Sequence, residues 1–207
     1  MRRIFNKNAA LTIIIRLSIL LFSISEVVAQ PQSESFIQKF DDRVMIDIQK
    51  TRTPERTDFM LFMSNTYRYG DIGIPAAMLV GGIVGHNEAL RQNSLYVASS
   101  TAVSYGAMAL IKALTKRRRP FVQNINITPV YRAGSYSFPS GHTQSTFATA
   151  TALSIAYPKW YVIAPSFLWA GTVSYSRMYL GVHYPSDVGA GLLLGAGTAT
   201  SLMFLKK

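Results

Sequence analysis

The sequence contains no cysteine, few acidic residues and only three histidines. The absence of cysteine excludes disulfides, thiolate nucleophiles and cysteine-based metal sites. Acidic residues number 10 against 21 Lys and Arg. After Glu88 the only carboxylate side chain is that of Asp187, whereas eleven Lys and Arg occur over the same stretch. A single carboxylate in a basic, apolar half-chain indicates a specific task rather than a solubilising charge.

The chain has 207 residues and a formal net charge of +11. This length suits one domain with a substantial core and is short for two. The charge alone would suggest nucleic acid or an anionic membrane surface as a partner. Because the basic residues of the C-terminal half occur among long apolar stretches, we expect a membrane rather than nucleic acid as the partner.

Residues 1–29 have the pattern of an export signal. A basic start precedes an apolar run over 9–24, and small residues at 27–29 are typical of a cleavage site. Arg16 interrupts the apolar run and keeps the alternative open, an uncleaved N-terminal anchor. Either interpretation sends the rest of the chain toward or across a membrane.

Residues 30–71 are the most polar part of the chain. Phe36, Phe40, Val44 and Ile48 recur at helical spacing among charged residues. The spacing predicts one or two amphipathic helices. Such helices could lie along a membrane surface or pack as ordinary surface helices.

The region 72–207 is dominated by five apolar stretches that short polar connections and one long loop, 115–142, separate. No alternation of apolar and polar residues is long enough to predict a sheet. The pattern therefore predicts an all-α antiparallel helical bundle that forms the catalytic domain. The stretches cover 72–85, 94–114, 143–157, 160–175 and 188–205.

The apolar stretches leave two environments open for the bundle. Stretches 94–114 and 188–205 approach the roughly 18 to 20 residues that cross a bilayer, whereas the other three are shorter and contain Ser, Thr and Tyr. Several glycines between 189 and 197 permit close helix contacts, which are common in membrane bundles. We favour a membrane-embedded bundle over a soluble one.

Three short polar blocks contain the residue types that metal-independent cleavage of a phosphate ester requires. They supply cations for a phosphoryl group, a turn with backbone N–H donors, two histidines and one carboxylate. The blocks are Lys112-x6-Arg119-Pro120, Pro139-Ser140-Gly141-His142 and Ser176-Arg177-x5-His183-x3-Asp187.

The positions of the blocks relative to the apolar stretches predict that they meet. Lys112 ends one stretch, His142 precedes the next, Arg177 follows another and Asp187 begins the last. In an antiparallel bundle these points lie at the same end. A chain that enters the membrane at residue 72 from the exported side places that end outside the cytoplasm.

Each block also has an ordinary structural interpretation that involves no catalysis. The basic run at 116–118 is typical of a solvated face or a contact with anionic lipid. Lys112 could extend to the surface, although a cation in an apolar stretch is costly without an anionic partner. Ser140 could be a plain helix cap. Asp187 could cap a helix, or its carboxylate could orient the His183 imidazole four residues earlier.

Together the three blocks resemble the tripartite signature of the type 2 phosphatidic acid phosphatase family, which shares its core with vanadium haloperoxidases and bacterial acid phosphatases. The resemblance covers about residues 70–205. It implies that His183 forms a phosphohistidine, that Asp187 orients it and that His142 is the general acid. No cofactor or metal is implied. The expected phosphate ligands are Lys112, Arg119, Ser140, Gly141 and Arg177.

The resemblance implies a phosphatase that acts on an envelope lipid at the periplasmic face of a bacterial inner membrane. Candidate substrates are phosphatidic acid, phosphatidylglycerol phosphate, undecaprenyl diphosphate and lipid A. Three alternatives remain at this stage: a soluble periplasmic acid phosphatase, a haloperoxidase, and a membrane protein that binds anionic lipid without cleaving it.

Overall fold

Helices follow one another along almost the whole described chain, residues 35–207, in the computed structural model. No strand occurs in this range, and the predicted all-α bundle is confirmed. A π-helical turn, Tyr69–Gly73, separates the two helices of the polar segment from the rest. The α-helices are α1 Phe36–Lys50, α2 Pro54–Asn65, α3 Ile74–Val84, α4 Glu88–Thr115, α5 Pro120–Gln123, α6 Gly141–Ala156, α7 Trp160–Tyr179 and α8 Pro185–Ser201.

Two predicted boundaries differ from the structure. Helix α4 begins six residues before the apolar stretch at 94, because the Asn87 side chain accepts a hydrogen bond from the Leu90 N–H (2.9 Å) and caps the helix. The loop 115–142 contains the short helix α5, which Pro120 begins. The predicted signal or anchor, 1–29, lies outside the described residues.

Helix α6 occupies the centre of the bundle and packs against α4, α7 and α8. Its buried side chains are mostly small or hydroxylated, so the neighbouring backbones come close to it. The closest approach is at Gly195 of α8, where a Cβ atom would lie 2.1 Å from the Gln144 carbonyl oxygen. Only glycine fits at this crossing.

Substitution of Gly195 by Ala should destabilise the bundle, because α6 and α8 would have to move apart. Overpacking of this kind costs about 1–3 kcal/mol, which corresponds to a loss of several degrees in Tm. The matched control is Gly197→Ala on the same helix, since no atom of a neighbouring helix lies within 4 Å of the added methyl group. Thermal unfolding of the two purified variants should separate them; equal Tm values would contradict the close packing.

The bundle exposes many large apolar side chains and buries many hydroxylated ones. The exposed fractions of Leu114, Leu168 and Leu193 are 70%, 73% and 66%, whereas Ser104 and Thr146 are fully buried. Among the described residues, two helical segments, Glu88–Gln123 and Pro185–Leu205, are long and apolar enough to cross a membrane.

Candidate active site

A cleft of about 450 Å³ lies where α4 ends and α6 begins. The three polar blocks, which are far apart in the sequence, meet around it as the helix order predicts. Two of the eight predicted site residues, Ser140 and Asp187, are fully buried and do not line the cleft. The six that line it are Lys112, Arg119, Gly141, His142, Arg177 and His183.

His183 lies in the tight connection between α7 and α8. The Arg119 Nη1 atom donates to the Val182 carbonyl (2.7 Å) and lies 3.2 Å from Nε2 of His183. A guanidinium group has only donors, so Nε2 must be the accepting nitrogen and Nδ1 carries the proton. Burial lowers the pKa of His183, which keeps the imidazole neutral at physiological pH.

The connection that carries His183 requires a glycine. Gly181 has a φ of 78°, in the left-handed region. A Cβ atom there would also lie 2.9 Å from the Pro129 Cα. The backbone of this turn is thus packed against the loop that carries Arg119, and the two polar blocks are fixed to each other.

The Asp187 carboxylate lies behind His183 in the first turn of α8. Its Oδ2 is 3.6 Å from His183 Nδ1, longer than a hydrogen bond. The same oxygen accepts hydrogen bonds from the Ser137 hydroxyl (2.5 Å) and the Tyr184 N–H (2.9 Å). These donors hold the carboxylate in place and leave it facing the protonated nitrogen of the imidazole.

Two of the three predicted phosphate-binding cations are anchored by loop carbonyl groups. Lys112 Nζ donates to the carbonyls of Tyr136 and Ser137. Arg119 donates to the Gly134 carbonyl (2.7 Å) as well as to that of Val182. Because carbonyl groups leave the positive charge uncompensated, both cations keep their attraction for an anion.

Arg177 is the most buried of the three cations. Its exposed fraction is 2%, and its Nη1 donates to the Ser64 hydroxyl of α2. Among the described residues its Nε has no hydrogen-bond partner although it is buried. A buried guanidinium donor at the cleft is well placed for a phosphate oxygen.

The Pro139–His142 block starts α6 as predicted, but Ser140 differs from the expectation. Its backbone N–H is not free for a phosphate, because it donates to the Asp187 carbonyl (3.1 Å). Its hydroxyl accepts a hydrogen bond from Thr143 (3.0 Å). Gly141 and His142 occupy the first turn of the helix, where backbone N–H groups have no partner within the helix and favour anions.

His142 lies in the first turn of α6 and lines the same cleft as His183. Its ring lies against the ring of Tyr67, with the centroids 3.8 Å apart. Burial lowers the pKa of His142, and the positive charge of Arg177 lowers it further. The free protein therefore holds this imidazole in its neutral form.

The expectation for Arg117 was wrong. The basic run at 116–118 suggested solvated or lipid-facing cations, but Arg117 is mostly buried and forms ion pairs with Asp187 and with Asp41 of α1. No sequence spacing connects Asp41 to the blocks. The cleft also includes side chains that the sequence analysis did not single out, namely Tyr67, Tyr105, Met108, Tyr131, Arg132, Ala133, Gly134 and Ser135.

Comparison with known proteins agrees with this arrangement. The chain is 38% identical over 76 residues to the lipid A 4'-phosphatase of Bacteroides thetaiotaomicron, which is 37% of this chain and 34% of the relative. It is 37% identical over 108 residues to the decaprenylphosphoryl-5-phosphoribose phosphatase of Mycobacterium tuberculosis, which is 51% of this chain and 57% of the relative. The chain thus matches between a third and three-fifths of the length of these relatives.

The fold is similar to that of a transmembrane PAP2-type phosphatidylglycerolphosphate phosphatase from Bacillus subtilis. The two structures superpose with a TM-score of 0.68 over 93% of this chain and 92% of the other, at 21% identity. The sequence profile of the PAP2 superfamily matches residues 93–206. This match includes all three polar blocks and more than half of the chain, which therefore belongs to the PAP2 superfamily.

Proposed function

We propose that this protein is a metal-independent lipid phosphate phosphatase that works through a phosphohistidine. The observation that carries the proposal is the convergence of three cations on one cleft around a neutral, buried histidine. Phosphoryl transfer depends mainly on positioning and on stabilising charge at the equatorial oxygens. Lys112, Arg119 and Arg177 supply that charge, and the first turn of α6 adds backbone donors at Gly141.

In the first step the Nε2 atom of His183 attacks the phosphorus and the bond to the lipid oxygen breaks. Asp187 stabilises the positive charge that develops on the imidazole, and His142 protonates the leaving oxygen. In the second step His142 takes a proton from water, which attacks the phosphohistidine and releases inorganic phosphate. Ser140 contributes from behind the cleft by fixing the start of α6 to Asp187.

The apolar exterior of the bundle supports a lipid substrate and a bilayer around α4 and α8. Exposed leucines on an outer surface and hydroxylated residues at the helix contacts are typical of a membrane protein. The cleft then opens at the membrane surface, where a headgroup phosphate can reach it. We assign the cleft to the periplasmic side of the inner membrane, as the export pattern of 1–29 predicts.

The deciding experiment measures phosphate release by the detergent-purified protein from a panel of lipids. The panel contains phosphatidic acid, phosphatidylglycerol phosphate, undecaprenyl diphosphate and lipid A, with and without EDTA. We expect release from at least one of them at a rate that EDTA does not change. Release from none of these lipids, with binding intact, would instead support a protein that binds anionic lipid without cleaving it.

Cell fractionation tests the bilayer separately. We expect the protein in the inner-membrane fraction, from which only detergent extracts it. Release by osmotic shock without detergent would contradict the proposal and favour a soluble periplasmic acid phosphatase.

A further inference from the structure

The buried carboxylate of Asp41 on α1 is linked through Arg117 to Asp187, the carboxylate that faces His183. Asp41 is fully buried, and its Oδ2 accepts a hydrogen bond from Arg117 Nη2 (2.8 Å). The other end of the same guanidinium group, Nη1, donates to Asp187 Oδ1 (2.7 Å). Helix α1 lies outside residues 93–206, the part of the chain that the family profile matches.

Arg117 holds Asp187 in one orientation because both ends of its guanidinium group are fixed. The planar fork of an arginine can bind two carboxylates at once, which an ammonium group cannot do with the same geometry. The ring of Tyr184 supports the guanidinium carbon from one side at 4.3 Å. Without Asp41, the positive charge of Arg117 would be balanced by Asp187 alone, and the carboxylate would be drawn away from His183.

Asp41 also fixes the helix that carries Asp187. Its Oδ1 accepts a hydrogen bond from the Ser186 N–H (2.9 Å), and its Oδ2 accepts one from the Ser186 hydroxyl. The first N–H groups of a helix lack partners within the helix, and a carboxylate stabilises that end. Asp41 therefore binds Ser186, the residue before Asp187, directly. It is linked to Asp187 indirectly, through Arg117.

The contact between α1 and the rest of the bundle is a packed one. Met45 lies four residues after Asp41 on the same face of α1 and is fully buried against Ile127 and Tyr184. This apolar cluster keeps α1 at the start of α8 independently of the ion pairs. Loss of the Asp41 charge should consequently leave the helix in place.

We propose that Asp41 is a positioning residue for the reaction: through Arg117 and Ser186 it sets the carboxylate of Asp187 against His183. The inference rests on the phosphohistidine chemistry proposed above. It adds a residue of the polar N-terminal segment, which lies outside the three signature blocks, to the residues that support the reaction.

The test compares Asp41→Asn with Asp47→Asn, an identical change on the same helix. Asp47 is a matched control because it is exposed and, within residues 35–207, forms an ion pair with Lys50 alone. We expect Asp41→Asn to lower kcat by about 10- to 100-fold, the effect of misplacing a reacting group, with KM changed by less than about twofold. KM should change this little because the substitution leaves the phosphate-binding cations untouched. Asp47→Asn should behave as the native protein does.

A second background shows whether Asp41 acts through Asp187. In Asp187→Asn protein, the further change Asp41→Asn should alter kcat by less than about twofold, because the group it positions has gone. If Asp41 only stabilised the fold, its loss would slow both backgrounds by the same factor. That result, or equal kcat values for Asp41→Asn and Asp47→Asn, would overturn the inference.

Anion binding by calorimetry gives a readout that needs no lipid and no turnover. Orthovanadate takes up the geometry of the transition state when it bonds to the histidine, whereas inorganic phosphate does not. We expect Asp41→Asn to weaken orthovanadate binding by about 10-fold or more and to leave phosphate binding unchanged. Equal weakening of both anions would mean a general loss of structure and would also overturn the inference. If the native protein cleaves none of the lipids, the proposed function fails, but this comparison still decides the role of Asp41.

Discussion

Substitution of His183 by Ala should reduce phosphate release by more than about 10⁴-fold, because the proposed reaction forms its covalent bond to phosphorus at the Nε2 atom of this residue. The three cations stay in place, so substrate binding should persist. The matched control is His86→Ala, which changes an exposed histidine far from the blocks in sequence. The measurement is kcat for the preferred lipid, with KM or an inhibition constant for phosphate to show that the cleft is intact.

The same variant tests the covalent intermediate. Acid-labile, base-stable labelling of the native protein by a substrate with radioactive phosphorus indicates a phosphohistidine, and His183→Ala should show none. Near-normal turnover by purified His183→Ala protein would exclude the mechanism, and retained labelling would place the phosphoryl group on another residue.

The second large effect is expected at His142. Its loss in His142→Ala should lower kcat/KM for a lipid substrate by about 10² to 10⁴-fold, because an unactivated alkoxide leaves poorly without a proton. For p-nitrophenyl phosphate, whose leaving group needs little protonation, the loss in kcat/KM should be much smaller. Comparison of the two substrates in the same preparation therefore isolates the role of the general acid. Equal losses for both substrates would assign His142 to phosphate binding instead.

The pKa of His142 adds a second expectation for this residue. In the free protein, burial and the charge of Arg177 lower that pKa, so the imidazole lacks the proton that a general acid must donate. A bound phosphate dianion partly cancels the nearby positive charge and raises the pKa. Phosphate binding near neutral pH should therefore take up a proton, which calorimetry in buffers of different ionisation enthalpy measures.

The sequence predicted the helices and the cleft for different reasons. The apolar stretches predicted the number of long helices after residue 72. Because successive helices of an antiparallel bundle run in opposite directions, their order also predicted that Lys112, His142 and His183 lie at the same end. Local capping decided the boundaries, as at Asn87. The prediction failed for one of the charged residues. A basic run has the same sequence pattern whether its side chains are solvated or paired with buried carboxylates, and Arg117 is paired with buried carboxylates from two helices.

Asp41 shows why the rest could not be predicted. Its distance from Asp187 in the sequence is 146 residues, and its helix has the ordinary amphipathic pattern of a surface helix. Tertiary contacts such as the packing of Met45 on Tyr184 and the hydrogen bonds between Asp41 and Ser186 bring α1 to the start of α8. A contact that depends on tertiary packing leaves no periodicity or motif to read.

The loop that anchors Lys112 and Arg119 has a consequence for product release. Both long side chains are fixed by the carbonyls of residues 134–137 during folding, so their conformational entropy has already been lost when a phosphate arrives. Such preorganised donors bind an anion with little reorganisation. In the proposed reaction inorganic phosphate meets the same donors as the lipid headgroup, and accumulated phosphate should therefore act as a competitive product inhibitor.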